Sequence, residues 1–452
     1  VAVVCTSGTA VANYHPAVLE AHHTNAPLLL LTADRPAMLR KTGANQTTEQ
    51  ARIFGKSVRY FADVDGPVYP MDLPLDSLRM GPVHLNLQFD EPLLPDDSSD
   101  WVSEIHVAPK SFVNRSKPGT LRLVGARGVV VIGHDRAGLS VEEITKFTKV
   151  LGWPVIAEDP LSFPDAIAHA SIFLTSQEIR STLIPQSVLV IGRTTLSRSI
   201  NAFIKSSPIQ YVVDPRTATV DTDRQADRIF TSLPDLQGVI QSDDWISTWN
   251  KVSERTKKLV VSLDGWNEAV IARTIAAAIP NETALFVSSS RPIRDLEGFA
   301  LPRAGVDTYA NRGLAGIDGN ISTALGIAYA HKATIAILGD LSFLYDMTGL
   351  INKEAINCRF IVINNDGGGI FSTLPQRGSH GFETVFGTPH GLNPAEIAKA
   401  MGVSAQQISS LKELEAAVKA PVTGISVVVC DVPDRESNAD NLKAIYDSLN
   451  SM

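Results

Sequence analysis

The sequence predicts an α/β protein of three domains, each built on a doubly wound, mostly parallel sheet. Short apolar runs recur along the chain with helix-length intervals between them, the pattern of repeated βα units. Runs such as TIAIL and FIVI are apolar throughout rather than alternating, as strands buried on both faces are. At 452 residues the chain is long enough for about three full-sized cores.

Taken in order, residues 1 to about 92 alternate the runs VAVVC, PLLLLTA and PVHLNL with helix-like stretches, and VAVVC is expected to be a core strand. The polar segment from Leu94 to Gly119, with Pro95, Asp96, Asp97, Ser98, Ser99, Asp100 and Pro118, reads as a linker. Three more runs follow, GVVVIG, SVLVIG and IQYVVD, spaced for a second sheet. The stretch GVVVIGHDRAG lacks GxGxxG, so a structural role is expected of it rather than dinucleotide binding. Residues 241 to about 263 read as a connecting helix. The last unit should place strands near 284–288, 334–338, 360–363 and 425–430. Leu411, Leu414 and Val418 recur at helical spacing among Lys412, Glu413, Glu415 and Lys419, which predicts an amphipathic surface helix. The expected domains span residues 1–95, 120–245 and 262–452.

A formal net charge of −8 argues against a nucleic-acid or anionic-membrane surface. Cys5, Cys358 and Cys430 are far apart and lack metal-ligand spacing, which fits a reducing cytoplasm and no zinc site. No apolar stretch approaches the roughly 18 residues of a membrane span. The opening residues lack the basic and small-residue features of a signal peptide.

The chemistry is concentrated in two motifs. GDLSFLYD begins at Gly339 and NNDGGGIF at Asn364, each directly after an apolar run. Ligands of open α/β sheets gather at the carboxyl ends of strands, and two neighbouring strand ends would present oxygen atoms together. Asp340 and Asn365 stand 25 positions apart, room for one crossover helix. Magnesium takes about six oxygens from carboxylates, amides, carbonyls, phosphates and water. Asp340, the Asn365 side chain and the Gly367 carbonyl fit that set, for Mg²⁺ or Mn²⁺. Gly367, Gly368 and Gly369 are expected to let backbone amides form a concavity for a diphosphate.

GD followed at this interval by NN resembles the thiamin diphosphate motif of the pyruvate decarboxylase and acetolactate synthase superfamily. Within it, GDLSFLYDMTGL, NNDGGGIFSTLPQ, NRGLAGIDG and the pair TSGTAVAN and LTADRPAMLRKTGANQ resemble one family, the menaquinone-pathway synthases of 2-succinyl-5-enolpyruvyl-6-hydroxy-3-cyclohexene-1-carboxylate (SEPHCHC). The resemblance runs from about residue 1 to residue 376 and is weakest in the middle. It implies three domains of the thiamin diphosphate-binding fold: pyrimidine-binding, central and diphosphate-binding. The first is expected to be incomplete, because family members begin with a further segment carrying a glutamate in a context like DERSAGF. The chain is therefore read as N-terminally truncated, which should weaken cofactor binding and turnover.

The resemblance also implies residue roles. Gly339, Asp340, Ser342, Asn365, Gly367 and Gly368 would bind the cofactor, with Ile317 wedged between its rings and Ile370 and Phe371 as a wall. Arg35, Ser290, Arg294, Arg312, Phe371 and Leu374 would bind substrate, with Arg291 a competitor to its neighbour Arg294. Asn45, Gln46, Arg294 and Arg312 would face the reacting groups. The substrates would be 2-oxoglutarate and isochorismate, four carboxylates between them, for which bidentate arginines are suited. The implied reaction is loss of CO2 from 2-oxoglutarate and conjugate addition of the resulting succinyl carbanion equivalent to isochorismate. A cytoplasmic homodimer or homotetramer with its active site at the subunit interface is implied as well. Rival expectations are another thiamin diphosphate-dependent decarboxylase or an acetolactate synthase-like enzyme, for which bound FAD would be a sign, and a catalytically silent fragment.

Overall fold

The computed structural model describes residues 1–66, 73–94, 118–123, 125–216, 225–352 and 354–449. Most of the expected linker, residues 95–117, lies outside the described residues. The chain divides into two compact units.

The first unit comprises Val1–Ser116 together with Arg312–Leu314. Its sheet contains β1 (Ala2–Cys5), β2 (Leu29–Asp34), β3 (Tyr60–Val64) and β4 (Val83–Gln88), in the order β1-β2-β4-β3 and parallel throughout. VAVVC does form a strand, but not a core one. Among the described residues it lies at the sheet edge, paired with β2 alone, and Val4 is 70% exposed. Val11, Val18, Leu30 and Phe54 form the apolar centre. Beside them runs a polar network that is buried at Asp34 and Asn86 and reaches solvent at Asp63. Asn86 Nδ2 donates to Asp34 and Asp63, each at 2.9 Å, and Arg40 pairs with both carboxylates.

The second unit holds the remaining residues. Its five-stranded sheet contains β6 (Gly128–Ile132), β7 (Val155–Ala157), β8 (Ser187–Ile191), β9 (Gln210–Val213) and β10 (Arg228–Phe230), ordered β10-β9-β8-β6-β7. β5 (Thr120–Arg122) and β11 (Asp235–Gln237) pair separately. The helix Asp243–Ser262 follows. The six-stranded sheet contains β12 (Thr283–Val287), β13 (Val306–Tyr309), β14 (Thr334–Gly339), β15 (Cys358–Asn364), β16 (Ser404–Ile408) and β17 (Ile425–Asp431). Its order is β13-β12-β14-β15-β17-β16.

Both faces of this last sheet are covered, which is why its inner strands read as unbroken apolar runs. Ile335, Ile337 and Ile361 pack on one side with Ile271, Ile275 and Leu296. Ala336, Leu338, Phe360 and Val362 pack on the other with Ile321 and Phe343. The helix Leu411–Lys419 buries Leu414 and Val418 and exposes its lysines and glutamates. The outer strands β7, β10, β13 and β16 were not expected. They are short or carry polar residues, as in VDTY and SAQQI.

Candidate functional site

β14 and β15 pair in parallel through Gly339 opposite Ile363, so Asp340 and Asn365 emerge side by side at the carboxyl ends of two adjacent strands. Gly339 caps the helix Asp340–Tyr345, and the acidic residue therefore opens the helix rather than a turn. Asp340 is buried. Its Oδ2 accepts from the amides of Asn365 at 3.1 Å and Gly367 at 2.9 Å, and its Oδ1 accepts from Leu341 at 2.6 Å. Burial raises its carboxyl above the usual range, while the amides of Gly367 and Leu341 and the nearby His390 pull the other way.

Asn365 is also buried, and its Nδ2 donates to Glu268 Oε1 at 2.7 Å. Its Oδ1 is buried without a hydrogen-bond partner, which is unusual enough in a folded protein to call for an explanation. Asp366, in the left-handed region at φ 60°, turns the chain towards the glycines.

The glycines do not form the expected anion cradle. The amide of Gly367 is spent on Asp340, that of Gly368 on the Gly387 carbonyl at 2.8 Å, and that of Gly369 on the Gly367 carbonyl at 3.0 Å. Their small size instead admits other parts of the protein. A Cβ at Gly367 or Gly368 would stand 2.1 Å from the Gly387 or Phe386 carbonyl oxygen, respectively. The Gly367 carbonyl keeps a second lone pair available for a cation.

Ser342 donates to the Ile317 carbonyl at 2.9 Å and accepts from Asn320 at 2.8 Å, so its hydroxyl ties the NRGLAGIDG segment to the helix that Asp340 opens. Ile317, Ile370, Phe371 and Leu374 are partly buried, the last three on or just after the short 3-10 turn Gly369–Thr373. Phe371 packs against Phe386 with ring centroids 5.3 Å apart and the rings tilted by 48°. Ser290 precedes the helix Arg291–Phe299 with φ 71°, and its carbonyl accepts from Arg294 at 2.6 Å. Arg291 turns inwards, pairing with Asp295 and lying 3.6 Å from Glu268. Arg291 thus belongs to a buried ion cluster, whereas the Arg294 side chain turns back to the Ser290 carbonyl before the helix.

Arg35, Asn45, Gln46 and Arg312 belong to the first unit. Gln46, at φ 58°, donates to Thr6 Oγ1 at 2.9 Å and to the Ser7 carbonyl at 3.1 Å, bracing the TSG turn. Arg35 is partly buried and Asn45 exposed. Arg312 is buried, and the Glu20 carboxylate accepts from the next two amides, of Gly313 and Leu314.

Sequence reasoning missed Glu268, which lies 97 positions from Asn365, and His390. The His390 ring is within 3.3 Å of Asp340 Oδ2, and its Nδ1 accepts from the Leu392 amide at 2.9 Å, placing the ring proton on Nε2. Neither residue shares a motif or a periodic spacing with Asp340. Arg435, which joins the Asp366 carbonyl to Glu383, carries no sequence signal either.

One carboxylate, one amide oxygen without a partner and one carbonyl make a hard oxygen set. It suits a magnesium-like ion that completes its shell with phosphate oxygens and water. Among the described residues no group of three His, Cys, Asp or Glu side chains forms a metal cage of its own.

Two family models match the chain. The middle domain of thiamine pyrophosphate enzymes covers residues 96–287, and the thiamine pyrophosphate enzyme C-terminal TPP binding domain covers residues 299–432. Among solved structures, benzoylformate decarboxylase from Polynucleobacter necessarius superposes with a TM-score of 0.64 over 96% of this chain and 87% of that one. At 16% identity it bears on the fold alone. The chain is 36% identical to 2-succinyl-5-enolpyruvyl-6-hydroxy-3-cyclohexene-1-carboxylate synthase of Thermobifida fusca, over 92% of this chain and 82% of that protein. It is 31% identical to the synthase of the same name from Staphylococcus aureus, over 100% and 86%. With Asp340 and Asn365 on adjacent strand ends of a TPP-binding domain, the chain belongs to the SEPHCHC synthase family of thiamin diphosphate-dependent enzymes.

Proposed function

We propose that the chain joins 2-oxoglutarate, with loss of CO2, to isochorismate to form SEPHCHC in menaquinone biosynthesis. The single observation that carries the site is the buried, unpartnered oxygen of Asn365 beside the Asp340 carboxylate. Asp340, Asn365 Oδ1 and the Gly367 carbonyl would hold Mg²⁺ or Mn²⁺ against the diphosphate. Thiamin diphosphate, when bound, supplies the electron sink that a 2-oxo acid needs in order to lose CO2.

The protein's own part is binding, orientation and exclusion of water. Arg35, Arg294 and Arg312 would pair with substrate carboxylates, with Ser290 at the start of the Arg294 helix adding a hydroxyl. Phe371 and Leu374 would give substrate an apolar wall, and Ile317 and Ile370 would do the same for the cofactor. Asn45 and Gln46 would present amides to the reacting groups. The spans 1–95, 120–245 and 262–452 would be the pyrimidine-binding, central and diphosphate-binding domains, in a cytoplasmic homodimer or homotetramer.

With thiamin diphosphate and Mg²⁺, CO2 release from 2-oxoglutarate should depend on added isochorismate. Release indifferent to isochorismate, or faster with pyruvate, would move the reading to an acetolactate synthase-like enzyme. Asp340→Ala should abolish Mg²⁺-dependent cofactor binding while the chain stays folded, and retained affinity would remove Asp340 from the site.

A further inference from the structure

Asn365 carries an ambiguity that Asp340 does not. A carboxylate offers oxygen at both terminal atoms, whereas an amide offers an acceptor on one side and two N–H donors on the other. Half a turn about its last bond would aim donors at the cation. Something must choose between the two settings.

Glu268 is placed to choose. It stands in the first turn of the helix Glu268–Ala278, buried, and its Oε1 accepts from Asn365 Nδ2 at 2.7 Å. An ionised carboxylate only accepts, so it attracts the NH2 and repels the oxygen. The amide is also confined from behind, since a Cβ at Gly369 would lie 2.3 Å from Nδ2. Arg291 compensates the buried charge, its Nε 3.6 Å from Glu268 Oε2 and its far end paired with Asp295. These residues and Asn365 line one small cavity of about 30 Å³.

We infer that Glu268 is a positioning residue that holds the Asn365 oxygen towards the divalent cation and the NH2 away from it. The inference rests on the reading of Asp340, Asn365 and Gly367 as the cation site. Glu268 reaches the cation through Asn365 alone, and Arg291 and Asp295 act one step further out by keeping Glu268 in place. The bland alternative is a buried carboxylate that merely found a donor, and the two make different predictions.

The test is Mn²⁺ binding in the presence of thiamin diphosphate, read from the free-ion electron paramagnetic resonance signal, on the full chain. Glu268→Gln keeps the shape but tolerates either setting of Asn365, so the Mn²⁺ Kd should rise about 10- to 100-fold, as for other partners of metal ligands. In Asn365→Asp, Glu268 faces a second carboxylate, and adding Glu268→Gln should tighten binding. Opposite signs in the two backgrounds are the signature of orientation control. Loss of the same size in both backgrounds, or a Kd within about twofold of wild type, overturns the inference. If Glu268→Gln unfolds because the buried charges no longer match, Glu268→Gln with Arg291→Met and Asp295→Asn removes all three charges of the cluster and carries the same comparison. Wild type that binds no Mn²⁺, or Asp340→Ala that still binds it, overturns the cation site itself and this inference with it.

Discussion

At the scale of single residues, burial of ionisable groups sets the pH response. His84 lies between Phe54 and Phe61, at ring distances of 4.9 and 5.3 Å, with Nε2 2.7 Å from Thr32 Oγ1. Burial pushes its pKa down from 6.5 to about 4, against a weaker upward pull from Asp63. The folded state thus binds the proton less well than the unfolded chain does. Stability is therefore full above pH 6.5 and is lost as pH falls from there to about 4, by up to about 3 kcal/mol. Asp63, held down to about 2 chiefly by its hydrogen bond from Arg40, adds a second loss only below about 3.8. Urea midpoints of the first unit should fall between pH 7 and 4.5, and His84→Gln should flatten that slope. An equal slope in both proteins would remove His84 as the cause. Residues of this kind are hard to find in a sequence. Asp340, Asn365 and Gly367 were legible because each follows an apolar run at a fixed interval, whereas Glu268 and His390 reach the same place from distant segments and leave no local pattern.

At the scale of elements, the glycine turn after β15 is shaped by the segment that leans on it. The Gly368 amide donates to the Gly387 carbonyl, and a Cβ at Gly368 would stand 2.1 Å from the Phe386 oxygen. Gly368→Ala should push the Glu383–Gly387 turn outwards, lowering stability by about 1–3 kcal/mol and weakening cation affinity together. Thermal unfolding and Mn²⁺ titration would check both, and an unchanged Tm would show that the turn yields freely. The strands carry a lesson about legibility. Every interior strand of the three larger sheets, β2, β4, β6, β8, β9, β12, β14, β15 and β17, stood out as an apolar run. Strands β3, β7, β10, β13 and β16, which no apolar run marks in the sequence, are all edges among the described residues. An edge strand has one neighbour and partial solvent contact, so it needs no unbroken apolar stretch. β1 is the exception, apolar in sequence yet at an edge.

At the scale of the whole molecule, all the proposed cation ligands lie in the second unit. A ligand that binds only the folded protein stabilises it by mass action, about 2.7 kcal/mol at a hundred times its Kd. Calorimetry with Mg²⁺ and thiamin diphosphate should raise the unfolding temperature of the second unit in wild type, and Asp340→Ala should remove that rise. A shift of equal size in both proteins would place the stabilising contacts away from Asp340. The strand order adds one more consequence. Asp340 and Asn365 hang from β14 and β15, the central pair of the six-stranded sheet. The ladder amides of these two strands can exchange with deuterium only when the sheet opens from within, the rarest opening such a domain undergoes. The proposed site is then a preformed socket rather than a loop that closes on its guest. The entropy of ordering it is lost during folding, and the pace of loading falls to the arriving ion, which must shed part of its own water.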